Sequence, residues 1–311
     1  MSAAPPQSAL HTAGPVADTL LGISTLLVVG ATLIFAGVMA LLWLALRRQG
    51  GPVNARHWVL GGGVVFPVVV LTALFAYSEW HKPPWRVAPP KDALIIGITA
   101  RMWWWEVRYR DPRTGLDIVT ANEVRVPVGR PVYFGLSSAD VIHSFWVPAL
   151  GGKMDAVPGR VQHLQLQADR PGVWRGQCAE YCGEQHARMA MHVVALAPGD
   201  FDAWLAAQAR PAAAPRTAML ERGRDAFLAH RCSACHTVRG VSEESRLGPD
   251  LTHVGSRLHL GAGTVPNDAA QRLAWVAHTQ ALKPGARMPS SHGRIDPVAL
   301  QSIADWLGEL R

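Results

Sequence analysis

The chain has 311 residues, 49% of them hydrophobic, and a formal net charge of +7. That length accommodates two or three domains, and the basic excess is spread along the chain without a block of Lys or Arg, which excludes a nucleic-acid footprint. The four cysteines form two close pairs, Cys178/Cys182 and Cys232/Cys235, an even count that on its own is compatible with two disulfides.

Residues 1–18 read as an extracytoplasmic N-terminal segment. Thr19–Leu46 then runs for 28 residues, and Val59–Ser78 for 20, without a charge. About 20 helical residues cross a bilayer core of roughly 30 Å, so the pattern predicts a transmembrane hairpin over 19–80, with helices over 19–46 and 58–78. The first run is too long for a cleaved signal peptide, has no Lys or Arg before it, and is followed by Arg47-Arg48. Arg47, Arg48 and Arg56 lie in the connection between the spans. The positive-inside rule puts that connection in the cytoplasm and both termini outside. Trp43, Trp58, Tyr77 and Trp80 sit where interfacial aromatic belts occur, and Pro67 falls inside the second span, where neighbouring helices tolerate it.

His81–Pro90 is proline-rich and reads as a stiff connector. Short strands are predicted over Leu94–Thr99, Trp103–Tyr109, Glu123–Val128, Pro131–Leu136, Val161–Gln167 and Val173–Gln177, separated by turn residues, so that 81–208 is an all-β sandwich or small barrel. Asp200–Gln208 has helical spacing, with Asp200 as N-cap. The Ala/Pro run over 209–216 is the linker. Beyond it, 217–311 is all-α, with helices over Thr217–Ala229, Asp268–His278 and Asp296–Leu310. No internal repeat is present.

The densest constellation is Gln177-Cys-Ala-Glu-Tyr-Cys-Gly-Glu-Gln-His-Ala-Arg-Met189. Cys178, Cys182, His186 and Met189 form a soft donor set suited to copper. Two thiolates can bridge two ions, but each ion then needs its own imidazole; His143, in Asp-Val-Ile-His-Ser-Phe-Trp-Val-Pro148, is the candidate for the second. A backbone carbonyl can fill the remaining position, and Glu180 lies between the cysteines. The alternatives are a Cys178–Cys182 disulfide, or a zinc site, although zinc seldom recruits Met. Further on, Cys232-Ser-Ala-Cys-His236 matches the c-type haem attachment signature, with thioethers at Cys232 and Cys235 and iron ligation by His236. Met288, 52 residues downstream of His236, is the candidate sixth ligand; His253, His259, His278 and His292 are its rivals.

His143, Cys178, Glu180, Cys182, His186 and Met189 together resemble the binuclear copper (CuA) site of cytochrome c oxidase subunit II, and the likeness extends over 7–205. Residues 218–310 resemble bacterial class I cytochromes c. The resemblance implies a multidomain membrane protein with a two-helix hairpin, a cupredoxin-like CuA domain and a fused cytochrome c domain, in the bacterial inner membrane. It further implies that the Pro249 carbonyl orients His236, that Trp103 in Trp103-Trp104-Trp105 is where electrons are received, that Glu180 reaches a magnesium site shared with the catalytic subunit, and that Gly151–Arg160 packs on that subunit. On a strand, Trp103 and Trp105 would share one face and Trp104 the other. A glutamate that related subunits place near the start of the second span is absent: Asn54–Val70 holds no carboxylate, and Arg56 and His57 stand there. Quinol oxidase subunit II shares the fold but lacks the copper ligands.

The implied function is electron input to a proton-pumping cytochrome c oxidase. Cytochrome c or another periplasmic or membrane-bound donor would supply electrons, haem-copper subunit I would reduce oxygen, subunit III would be a further partner, and the lipid bilayer would hold the anchor. The alternative is the CuA-haem c subunit of a nitric oxide reductase; a copper-delivery protein is a third. No residues remain for the propeller of a nitrous oxide reductase. A short linker would raise the haem domain's effective concentration near the copper to about the millimolar range.

Overall fold

A computed structural model describes residues 7–48, 50–82, 89–242 and 245–311. The connector expected over 81–90 lies largely outside them. Two long helices, α1 (Pro15–Arg47) and α2 (Ala55–His81), have hydropathies of 2.4 and 2.3 over their most apolar windows and bury none of that surface within the chain. Their Leu, Val and Phe side chains point outward, the condition of a helix whose solvent is hydrocarbon or a partner. α2 is π-helical over Trp58–Val65, where Phe66 N donates to Gly61 O. The widened turn precedes Pro67, which has no N–H to continue the α ladder.

The start of α1 is built into the next domain. Ala13 N donates to Ala149 O at 2.7 Å and Asp169 N to Ala13 O at 2.9 Å. A Cβ on Gly14 would stand 2.1 Å from the Gln167 carbonyl oxygen, so only glycine allows this approach. Residues 13–17 therefore belong structurally to the sandwich and are not a separate leading segment.

The sandwich comprises β1 (Leu94–Arg101), β2 (Trp104–Arg110), β3 (Asp117–Ala121), β4 (Glu123–Pro127), β5 (Val132–Ser138), β6 (His143–Trp146), β7 (Met154–Ala156), β8 (Gln162–Leu166), β9 (Gly172–Cys178) and β10 (Ala190–Leu196). One sheet has the order β3-β2-β1-β5-β8 and the other β4-β10-β9-β6-β7. Alternation carries the core: Ile96, Ile98 and Ala100 of β1, with Phe134 of the adjacent β5, share one core with Phe145 and Trp174 of the other sheet. β3, β6, β7 and β10 are additional to the predicted strands. β6 and β7 are too short for a period to show, and β10 (Ala-Met-His-Val-Val-Ala-Leu) is buried on both faces, so it does not alternate. α3 (Pro198–Gln208) begins before Asp200, with Ala197 at the cap and Pro198 in the first turn; Asp200 lies in that turn and is not the N-cap.

The helical domain packs α4 (Ala218–Ala229), α5 (Ala269–Leu282) and α6 (Pro297–Glu309) around a small ribbon, β11 (His259–Leu260) and β12 (Val265–Pro266). Thr217, Asp268 and Asp296 cap the helices by accepting from Leu220 N, Gln271 N and Val298 N. α5 runs on past a kink at His278 to Leu282. α4 crosses α6 at Gly223, with Phe227 against Trp306 at 5.1 Å.

The linker run over 209–216 is held in place. Arg239 Nη2 donates to Gln208 O at 2.6 Å and His253 Nε2 to Arg210 O at 3.0 Å, while Ala212 N donates to Arg239 O at 2.9 Å. The two soluble domains are docked. Leu258 N donates to Glu123 Oε2 at 2.8 Å, Ala190 N to Ala262 O at 3.0 Å, and Arg188 Nη1 to Leu282 O at 2.7 Å. His192 stacks on His259 at 4.2 Å.

The α4–α6 crossing is a sharp test of packing. A Cβ on Gly223 would lie 2.1 Å from Ser302 O and 2.7 Å from Trp306 Cβ. Gly223→Ala is expected to destabilise the helical domain by about 2 kcal/mol through overpacking, read as earlier loss of its tertiary signal in urea with the sandwich transition unmoved.

Candidate metal and haem centres

The first centre is made by one loop and one strand. Cys178 closes β9, Cys182 and His186 stand on the loop, and Met189 immediately precedes β10. Cys178 N donates to Met189 O at 2.8 Å, closing the loop at its base, and Ala179 N to Ser144 O at 2.9 Å, tying it to β6. His143 is the first residue of β6. Gly183 has φ +107, and a Cβ there would press on the Trp103 indole at 3.2 Å, so the loop needs glycine at that point.

The donors converge. The two sulfurs are 3.8 Å apart and both thiols are free, well beyond the roughly 2.05 Å of a disulfide. His143 Nδ1 lies 3.8 Å from Cys178 Sγ and His186 Nδ1 3.6 Å from Cys182 Sγ. Each sulfur also has a weaker third donor: the Glu180 carbonyl oxygen is 3.2 Å from Cys178 Sγ and Met189 Sδ 3.9 Å from Cys182 Sγ. Glu180 thus turns its backbone oxygen to the site, and its side chain is exposed. Five side chains and one carbonyl form two matching halves about a sulfur pair, an arrangement and softness that fit a pair of copper ions.

The electrostatics point the same way. Hydrogen bonding with Cys182 and with His143 lowers the Cys178 ionisation against the opposing effect of burial. The second proton is held: the neighbouring thiolate and burial push Cys182 up. Burial alone would lower His143, but Asp140 and Cys178 outweigh it and raise the imidazole to about 9. Asp140 accepts from His143 Nε2 and from Met102 N, each at 2.8 Å. These bonds hold its carboxyl below the usual range despite burial. Cys182 and His143 thus carry protons that a bound cation would displace. Asp140 fixes the ring so that Nδ1 faces the sulfurs. That role went unseen in the sequence, where the only signal is a carboxylate three residues before the histidine.

The second centre is a cavity of about 480 Å³, lined among others by Cys232, Cys235, His236 and Met288. His236 Nδ1 donates to Pro249 O at 2.8 Å, leaving Nε2 for a ligand, and burial lowers the imidazole pKa, keeping it neutral. A Cβ on Gly248 would meet the ring at 2.6 Å, so glycine is what lets the loop lie on it. Gln280 Nε2 donates to the carbonyls of Ala286 (2.6 Å) and Met288 (2.7 Å), shaping the methionine loop; helical spacing gave no reason to single it out. The donor set and volume fit a covalently held haem. Of the rival ligands, His278 and His292 are exposed and face each other at 4.6 Å. His253 is buried with Nε2 committed to Arg210 O. His259 lines the cavity but lies flat on His192.

Trp103 stands between the centres. It precedes β2 in a turn, so the expected pairing of Trp103 and Trp105 on one strand face does not occur. Trp105 is in the core, 6.1 Å from His143 and 5.6 Å from Phe145. Trp103 lines the haem cavity, and its indole N–H donates to Cys182 O at 2.8 Å.

The fold and the two centres define the class: a cupredoxin-like domain behind two apolar helices, joined to a cytochrome c domain. Comparisons agree. Residues 115–196 match the family model of the cytochrome c oxidase subunit II periplasmic domain, and residues 220–311 the cytochrome c family. Cytochrome c oxidase subunit 2 of Alkalihalophilus pseudofirmus is 35% identical over 227 residues, 73% of this chain and 64% of that protein. A probable cytochrome c oxidase subunit 2 of Rickettsia bellii is 30% identical over 217 residues, 63% of this chain and 79% of its own length. The crystallised periplasmic domain of cytochrome oxidase subunit II of Bradyrhizobium japonicum is 31% identical, with a TM-score of 0.36 over 39% of this chain and 97% of that one. The chain belongs to the cytochrome c oxidase subunit II family. It spans somewhat under two thirds of the length of the Alkalihalophilus relative.

Asp140→Asn removes the charged acceptor of His143 and leaves the loop closed. It is expected to lower copper affinity by about 10- to 100-fold, measured by competition with a chelator of known affinity, with the fold unchanged by circular dichroism.

Proposed function

We propose that the chain is the electron-receiving subunit of a cytochrome c oxidase. α1 and α2 would anchor it in the bacterial cytoplasmic membrane, with both termini and both soluble domains on the outer face. The observation that carries this reading is the sulfur pair with one imidazole and one weaker donor on each side. His143, Cys178, Glu180 through its carbonyl, Cys182, His186 and Met189 would hold the binuclear copper, and Cys232, Cys235, His236 and Met288 would hold haem c. Loaded with these groups, the chain would relay single electrons from cytochrome c or another donor to the proton-pumping, oxygen-reducing subunit I.

The chain's own residues prepare that relay. Asp140 and the Pro249 carbonyl each fix one imidazole by its outer nitrogen, so little reorganises when charge changes. Burial of both sulfurs excludes water from the copper site. The bonds from Ala13 and Asp169 bring the start of α1 onto the sandwich that α2 leads into, which supports one side for both termini. Ile142, next to His143, and Tyr181, in the copper loop, leave apolar surface exposed, a surface suited to subunit I; subunit III would complete the complex. The exposed Glu180 carboxylate is available to a magnesium ion shared with subunit I.

The test is the full chain purified with its partner subunits. Oxygen-dependent oxidation of reduced cytochrome c is expected, falling to background in Cys178→Ser. Full turnover by that variant would contradict the reading.

A further inference from the structure

One charged side chain at the domain interface is not used by either centre. Lys283 follows α5 in the cytochrome domain, yet it is only 3% exposed. Its Nζ donates to three carbonyl oxygens at 2.8 Å each: Trp103 O and Arg188 O in the copper domain, and Gly261 O in its own. An ammonium has three donors and no acceptor, so three carbonyls satisfy it completely. Among the described residues no carboxylate forms an ion pair with it. Burial pushes its pKa down to about 7; the three carbonyls are what make so dry a place tolerable for a charge.

The placement joins both centres. Lys283 lines the haem cavity beside Met288. Its acceptor Trp103 bonds Cys182 O through the indole, and its acceptor Arg188 is next in sequence to Met189. The neighbouring contacts run the same way: Arg188 Nη1 reaches back to Leu282 O at 2.7 Å. We propose that Lys283 is the positioning residue for internal electron transfer, pinning the cytochrome domain to the copper domain and holding Trp103 against the copper loop. Lys283 gains and loses neither electron nor proton in this role; it fixes the separation and the orientation of the groups that do. This rests on the proposed relay but is tested apart from it.

The experiment compares wild type, Lys283→Met and Lys283→Gln as full-length, cofactor-loaded protein in detergent. Met keeps the length and removes every donor; Gln is shorter and uncharged. The first readout is hydrogen exchange at the Ala190 and Leu258 amides, which donate across the interface to Ala262 O and Glu123 Oε2. Losing one hydrogen bond to a charged group shifts an equilibrium by about tenfold, so their exchange should rise at least that much, while amides within the β1–β5 pairing stay as in wild type. The second is the rate at which photoreduced haem passes an electron to copper, expected to fall about tenfold or more with both optical spectra unchanged. Wild-type values of both readouts in either variant that retains its centres overturn the proposal. Absence of electron transfer in the wild type, with exchange at the two amides still raised in the variants, would instead contradict the relay and leave the pin standing.

Discussion

Two cysteine sulfurs held 3.8 Å apart in a buried loop are the constraint on which the rest of the chain depends. At that distance they are not bonded, and burial makes a second negative charge there costly without a cation. Everything around them answers to that condition. β9 ends on one sulfur, β6 starts on the imidazole beside it, and β10 begins just after the thioether. Asp140 takes the outer nitrogen of His143. The sandwich acts as the rigid frame that keeps six donor groups aimed at one volume.

The second organising feature is the docked interface. An Ala/Pro run reads as a linker, which by itself sets only how far apart two domains can stand. Here Arg239 and His253 hold that run, and bonds from Arg188, Ala190, Leu258 and Lys283 hold the domains together. The haem cavity consequently opens onto Trp103, and Trp103 onto Cys182. Trp103 therefore faces the chain's own cytochrome domain.

Much of this was legible in the sequence because the chemistry is local. Cys178, Cys182, His186 and Met189 lie within one loop, and Cys232, Cys235 and His236 within one turn, so spacing alone announces them. The helix starts at Thr217, Asp268 and Asp296 were legible for the same reason. What escaped was set by tertiary contact. β10 is covered on both faces and shows no alternation. Trp103 leaves its strand because its indole is needed at Cys182. Gln280 and Lys283 look like ordinary polar residues near the end of α5 until the carbonyls they serve are brought together from segments far apart in the chain. Gly223 and Gly248 are places where the backbone of one element lies on another, which one sequence does not disclose.

Electron paramagnetic resonance of the full chain loaded with copper tests the central claim most directly. Two ions sharing one unpaired electron across both sulfurs give a seven-line hyperfine pattern, and this account predicts that pattern with two coppers bound per chain. A four-line spectrum from a single ion, or a sulfur–sulfur bond between Cys178 and Cys182 in the loaded protein, would contradict it.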